Sequence, residues 1–103
     1  MADDLTSQPD WHDLKRRLDA ASGPDFALDA ALASSGVTES AKAALAWAQT
    51  ALPDWHAHVG FDVSGVLPYA AFSRQGAHVE ASAPTVPLAI LRAAVTVLAG
   101  DFG

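Results

Sequence analysis

His56 and His58 stand two apart in a stretch that alternates polar and apolar residues, and His78 takes the matching position in a second such stretch. Strand residues two apart share a face, so three imidazoles converge on one surface if both stretches are strands, with Asp62 or Glu80 adding a carboxylate. Three nitrogen ligands and a carboxylate suit zinc if all lie within about 2.0–2.2 Å of one point, and the same groups suit proton transfer. The plainer alternative is a row of polar side chains on the wet side of a half-exposed sheet. His12, beside Trp11, reads as an exposed helix residue. Ser64 before Gly65 reads as a hairpin rather than a nucleophile elbow, and neither glycine-rich phosphate-cradling pattern is present. The sequence therefore predicts no catalytic residue, no metal site and no cofactor.

What these residues can do is bind. If one sheet face is open, His56, His58, Tyr69, Arg74, His78 and Glu80 form its candidate surface, with hydrogen-bond donors, an aromatic plane and a guanidinium. Tyrosine and arginine are enriched at interfaces because they join contact area to a polar tip. Such a face suits a small anionic ligand, a partner protein or a second copy of the chain.

The elements that must position it follow from periodicity. Residues 1–9 read as a mobile arm and residues 10–100 as a single domain. A first helix runs from Asp10 to Ala21, with Asp10 as N-cap and Trp11, Leu14 and Leu18 as its buried stripe. Ser22-Gly23-Pro24-Asp25 breaks it, with Gly23 suited to a left-handed cap and Pro24 to a new first turn. A second helix spans Phe26 to Ser34, with Phe26, Leu28, Ala31 and Leu32 toward the core. A third begins at Thr38 and ends near Leu52, with Thr38, Ala41, Leu45, Ala48 and Leu52 on one stripe, Ala43, Trp47 and Thr50 or Ala51 on another, and packing as its role.

From Trp55 the period changes to two. Trp55 to Val63 reads as a strand with its odd positions apolar, Ser64-Gly65 as a tight turn, and Val66 to Ser73 as a second strand. Pro68 favours an edge or a bulge there. Arg74-Gln75-Gly76 makes the next turn and Ala77 to Ser82 a third strand. Ala83 to Ala99 is a helix with almost no polar side, so it must lie between other layers; Arg92 marks its one wet edge. Gly100 to Gly103 is a frayed end. The fold class is α+β: a three-stranded antiparallel meander packed between helices in the order α-α-α-β-β-β-α, an alpha-beta-alpha sandwich.

Composition sets the outer bounds. Half of the 103 residues are apolar and 17% are charged, which fits an ordered domain. With no cysteine, disulfides and thiolate sites are excluded. A net charge of −6 opposes binding to phosphate backbones or anionic lipid, so neither nucleic acid nor membrane is an expected partner. A helix, three strands and a helix also make up a double-stranded RNA-binding domain, but Ala83-Pro84-Thr85-Val86-Pro87 brings no charge to the start of the last helix. No basic, apolar leader opens the chain, and cytoplasmic residence is the expectation. Asp3, Asp4, Asp10, Asp13, Asp19, Asp25 and Asp29 crowd the first third, a surface able to attract a basic partner.

Three stretches carry a family resemblance: L-D-A-A-S-G-P-D-F-A-L-D-A-A-L-A at Leu18 to Ala33, A-A-L-A-W-A-Q-T-A-L-P-D-W at Ala43 to Trp55, and A-P-T-V-P-L-A-I-L-R-A-A at Ala83 to Ala94. Together with the order of elements, they resemble the phage ABA sandwich domain family of tailed phages and prophages, and the likeness covers most of the chain after the arm. It departs from 34 to 40 and in the strands that carry His56, His58 and His78. The resemblance implies a layered fold and a phage or prophage setting, and supplies no catalytic residue. The function expected is a non-enzymatic accessory protein that acts by binding a protein partner, either a bacterial host factor or another copy of itself. Inhibition of a host defence factor through the acidic surface is its most concrete form. A small-ligand or metal-binding module using the histidine face, or a structural or assembly role in the particle, is the alternative.

Overall fold

The Asp10 side chain accepts a hydrogen bond from the Asp13 N–H, and the first helix, α1 (Trp11–Ala20), starts from this cap. The computed structural model describes residues 10–61 and 65–100. The expected arm with Asp3 and Asp4, the candidate carboxylate Asp62, Val63, Ser64 of the expected hairpin, and residues 101–103 lie outside the described residues. Leu14 and Leu18, four apart, are the buried stripe of α1, with Trp11 packed at its margin. Its outer side is knitted by Asp13 with Arg16 and Arg17, and by Lys15 with Asp19 at 3.3 Å. Exposed pairs of this kind contribute less than about 1 kcal/mol each. The helix stops on Ala21 in extended conformation, so Gly23 is not the left-handed residue expected, and Pro24 precedes the next N-cap instead of opening a turn.

The second helix, α2 (Phe26–Ala31), is shorter than the pattern suggests. Ala33 takes a left-handed φ of 55°, its N–H donates to Ala30 O, and the Ser34 N–H donates to Asp29 O, both at 3.0 Å. This double closure caps the last carbonyls and ends the helix. Leu28 and Leu32 are buried, but Phe26 is 88% exposed rather than in the core. Two helical positions from Leu28 is more than half a turn, which puts Phe26 on the outside.

Thr38 does not begin the third helix, α3 (Ala41–Ala51), which starts from Ser40 as N-cap, its hydroxyl accepting from the Ala43 N–H. Its inner stripe is Ala44, Ala48 and Leu52, with Leu45, Trp47 and Ala51 at the margin and Ala41 exposed. Thr38 is buried in a polar knot instead. Its hydroxyl donates to Asp29 Oδ1 at 2.7 Å and accepts from the Asp25 N–H at 2.8 Å, while its own N–H donates to Asp29 Oδ1 at 2.9 Å. The Gly36 N–H completes the set on Asp29 Oδ2 at 3.1 Å. Asp29, only 7% exposed, thus anchors the connection between α2 and α3. Trp47 adds a second tie by donating its Nε1–H to Leu32 O at 3.1 Å, and stands edge-on to Trp11 at 6.4 Å between centroids.

Strands β1 (His56–Phe61), β2 (Pro68–Arg74) and β3 (Ala77–Ser82) form an antiparallel meander in that spatial order. Gln75 and Gly76, with φ of 45° and 90°, make a two-residue turn between β2 and β3, one residue tighter than expected because Arg74 still belongs to β2. Pro68 stands first in the central strand, not on an edge. Its carbonyl accepts the Ala83 N–H at 3.1 Å, and at a strand end its missing N–H interrupts nothing further.

Thr85 caps the last helix, α4 (Val86–Leu98), with Pro87 in its first turn. Nine of its residues are buried: Pro87, Leu88, Ala89, Ile90, Leu91, Ala93, Ala94, Val95 and Val97. One side of α4 covers β2 and β3, and the other meets α1 and α3. The α+β class and the order of elements are those expected, and α4 does lie between layers. The stack runs sheet, α4, then α1 with α3, so the helix rather than the sheet occupies the middle.

Arg92 is no wet edge. Its Nε–H donates to Leu18 O at 2.8 Å, one terminal nitrogen to Ser82 O at 2.9 Å, and the other to Asp19 O and Ala21 O, both at 2.9 Å. The guanidinium is an ideal cation for the C-terminus of α1, where the carbonyls lack partners within the helix. Among the described residues, no buried side-chain nitrogen or oxygen is left without a hydrogen bond.

Two stability outcomes follow. Arg92→Met keeps the apolar stem but removes the guanidinium bonds to Leu18, Asp19, Ala21 and Ser82, of which Leu18 O keeps the Ala21 N–H, and should lower unfolding free energy by about 3 kcal/mol in denaturant titrations. Arg92→Lys should recover only part of it, since an ammonium lacks the planar fork. Asp29→Ala should cost about 2–4 kcal/mol by stranding the donors of Gly36 and Thr38. Burial raises the Asp29 carboxyl, but the bonds from Thr38 and Gly36 outweigh it and hold the group below its ordinary 3.8. The folded chain therefore takes up this proton less readily than the unfolded one. The stabilisation is present above the ordinary carboxylate range and is lost as pH falls through the folded value. Denaturation at about pH 6 and about pH 2.5 should show the gap between wild type and Asp29→Ala closing in acid.

Candidate functional site

Alternation along the three strands sorts their residues onto two faces. Ala57, Val59, Ala70, Phe72, Val79 and Ala81 face the helix side, where Phe72 is wholly buried. The other face carries three cross-strand rows: His56–Ser73–His78, His58–Ala71–Glu80 and Gly60–Tyr69–Ser82. Small side chains in the middle of the first two rows make a shallow trough, with Ala71 buried between its taller neighbours. Tyr69 closes one end of it. A Cβ on Gly60 would stand 3.2 Å from Tyr69 Cε1, so the ring lies across the glycine, and it reaches His58 with a centroid separation of 5.7 Å.

Five of the six predicted residues thus share one surface: His56, His58, Tyr69, His78 and Glu80. Their spacing sets what they can do. His56 and His78 are separated by a whole strand, about 10 Å at the backbone, and His78 Nε2 lies 3.9 Å from Glu80 Oε2. Among the described residues no three histidines or carboxylates stand close enough to hold a metal ion. The arrangement offers dispersed donors and acceptors around an aromatic ring, the chemistry of a contact surface.

Arg74 belongs to the opposite parity and leaves this face. Paired with Ala77 at the end of β2, it lays its guanidinium over the Trp55 ring, 5.4 Å from the centroid. There it meets His56 from the start of β1, and with Asp54 and Gln75 the two line an open depression of about 510 Å3. Asp54 and Gln75 escaped the sequence reading because both fall in turns. Hairpin closure puts the start of β1 and the end of β2 at one end of the sheet, and that was the signal available for them. A second hollow of about 300 Å3 lies beside α2, lined by Phe26, Ala30, Ala33 and their neighbours.

The acidic third of the chain is largely engaged. Asp10 and Asp25 cap helices, Asp29 sits in the knot, and Asp13 and Asp19 pair with the bases of α1. Among the described residues no helix is long and apolar enough to cross a membrane. Compared with family models, curated proteins and solved structures, the chain matches none.

Proposed function

We propose that this chain is a non-catalytic binding protein that presents the open face of its sheet to a protein partner. The observation that carries this reading is the one-sided cover of the sheet: α4 lies on β2 and β3 from one side, while His56, His58, His78 and Glu80 stay exposed on the other. A flat polar surface with a half-buried tyrosine at its end has the make-up of a protein interface, where aromatic anchors sit among hydrogen-bonding neighbours. The net charge of −6 adds long-range attraction toward a basic partner. The contacts of Asp10, Asp13, Asp19, Asp25 and Asp29 favour the sheet face over the acidic third as the recognition surface. A bacterial host factor as the partner, inhibition of a defence system, and the phage or prophage setting itself rest on the sequence resemblance, as does a role in particle assembly.

The depression at the sheet end supports a second reading, a site for a small anion held by Arg74 and His56. Arg74 is oriented by Trp55 and projects into open volume beside an imidazole, an arrangement that suits a phosphate or carboxylate.

Each reading has its own measurement. With the wild-type chain as bait in a bacterial lysate, a captured partner should bind Tyr69→Ala at least tenfold more weakly by calorimetry, a change of about 1.4 kcal/mol. Asp13→Lys should alter mainly the association rate. Equal affinity for Tyr69→Ala, with its fold confirmed by circular dichroism, would remove the sheet face. For the second reading, inorganic phosphate should raise the melting temperature of the wild type but not of Arg74→Gln, since a ligand at about 100 times its Kd stabilises by about 2.7 kcal/mol. No phosphate-dependent shift would discard the anion site.

A further inference from the structure

The outer edge of β1 differs from the rest of the sheet. Because the Ala83 N–H donates to Pro68 O, the residues of β2 with even numbers turn their backbone groups toward β3. Alternation then turns Tyr69, Ala71 and Ser73 toward β1, pairing them with Gly60, His58 and His56. The N–H and C=O groups of Ala57, Val59 and Phe61 therefore point away from the sheet, along an edge that no other strand among the described residues occupies. Between 56 and 61 there is no Asp, Glu, Lys, Arg or Pro, the residues that ordinarily guard an edge.

The helix layer also misses this edge. α4 covers β2 and β3, and so Val59 is 36% and Phe61 60% exposed although both belong to the helix-side parity. Val66 and Leu67, leading into β2 opposite Phe61, are 73% and 41% exposed. These four side chains present on the order of 300–400 Å2 of apolar surface, the scale at which an exposed patch marks an interaction site.

We infer that the occupant of this edge is a second copy of the chain, paired antiparallel through β1 about a two-fold axis at Val59. In that register Val59 faces Val59 of the second copy, and Ala57 faces Phe61, each pair exchanging two backbone hydrogen bonds. The strand is complementary to itself on both faces: bulky Phe61 lies against small Ala57 on the helix side, and His58 lies against Gly60 on the open side. From Ala57 to Phe61 no charged side chain enters the seam, so the −6 carried by each copy is not concentrated there. Apolar side chains and edge backbone from both copies bury roughly 1,000 Å2, the low end of specific interfaces, which makes the dimer reversible. Its product is a six-stranded sheet, and it does not depend on what the open face binds.

Sedimentation equilibrium over a concentration series tests this. The wild-type mass should climb from 10.7 kDa toward twice that value, while Val59→Lys and, independently, Phe61→Lys stay monomeric at every concentration with unchanged circular dichroism. Hydrogen exchange supplies the parity test. Val59 and Phe61 amides should gain protection with concentration, and His58 and Gly60 amides should be protected throughout. A monomer up to about 1 mM, the weak end of measurable association, would overturn the inference, as would a dimer that leaves the Val59 amide unprotected or persists in both lysine variants.

Discussion

The structure depends on one guanidinium held where α1 and β3 end against α4. Arg92 rises from the middle of an otherwise apolar helix and gives its donors to Leu18, Asp19 and Ala21 at the end of α1 and to Ser82 at the end of β3. Leu18 O also accepts the Ala21 N–H at 3.2 Å, and the guanidinium adds a second donor there while serving Asp19, Ala21 and Ser82. A planar cation with five donors answers several such carbonyls together, which no neutral side chain does. The apolar surfaces drive the layers together, and Arg92 fixes the angle and register at which they meet.

Size complementarity does the rest. Ala44 and Ala48 on α3, with Ala89, Ala93 and Ala94 on α4, are fully buried and carry little side chain. The helices can therefore approach closely, and the larger Leu18, Leu28, Leu88, Ile90, Leu91 and Phe72 fill what remains. Fewer long side chains are ordered in such a core, at a smaller entropic loss. The polar knot around Asp29 complements it: in the chain between α2 and α3 Leu32 and Val37 reach the core, and a buried carboxylate with three donors ties down the polar backbone between and beside them.

Periodicity exposed the order of elements because every buried stripe and every alternation had to be written into the sequence to work at all. The switch to period two at Trp55, the capped start of α1 and the all-round apolar α4 are of this kind. Three residues misled. Arg92 read as exposed because a charge in an apolar helix normally reaches water, and Thr38 read as the start of a helix because threonine is a frequent cap. Arg74 read as a face residue because a turn was placed one position too early. For Arg92 and Thr38 the outcome was decided by groups on other segments, carbonyls 10 to 74 residues from Arg92 and a side-chain carboxylate nine residues from Thr38, and for Arg74 by hairpin closure at the adjacent Gln75 and Gly76. Site residues on strand parity were legible; those at turns and ends were not.

The offset of α4 links fold to function. Three strands are too wide for one helix to cover, and α4 is drawn toward β3 because Arg92 fastens it to Ser82 on that side. The opposite edge is then left bare, and Val59 and Phe61 become exposed although their parity is that of the core. The open face arises separately, because all helices described lie on the far side of α4 or are α4 itself. Among the described residues, a chain with one modest core has no further layer over either surface. The two surfaces differ enough in chemistry to suit two kinds of partner: an unguarded apolar edge suits strand addition, whereas a polar trough ending in Tyr69 suits a shaped protein surface.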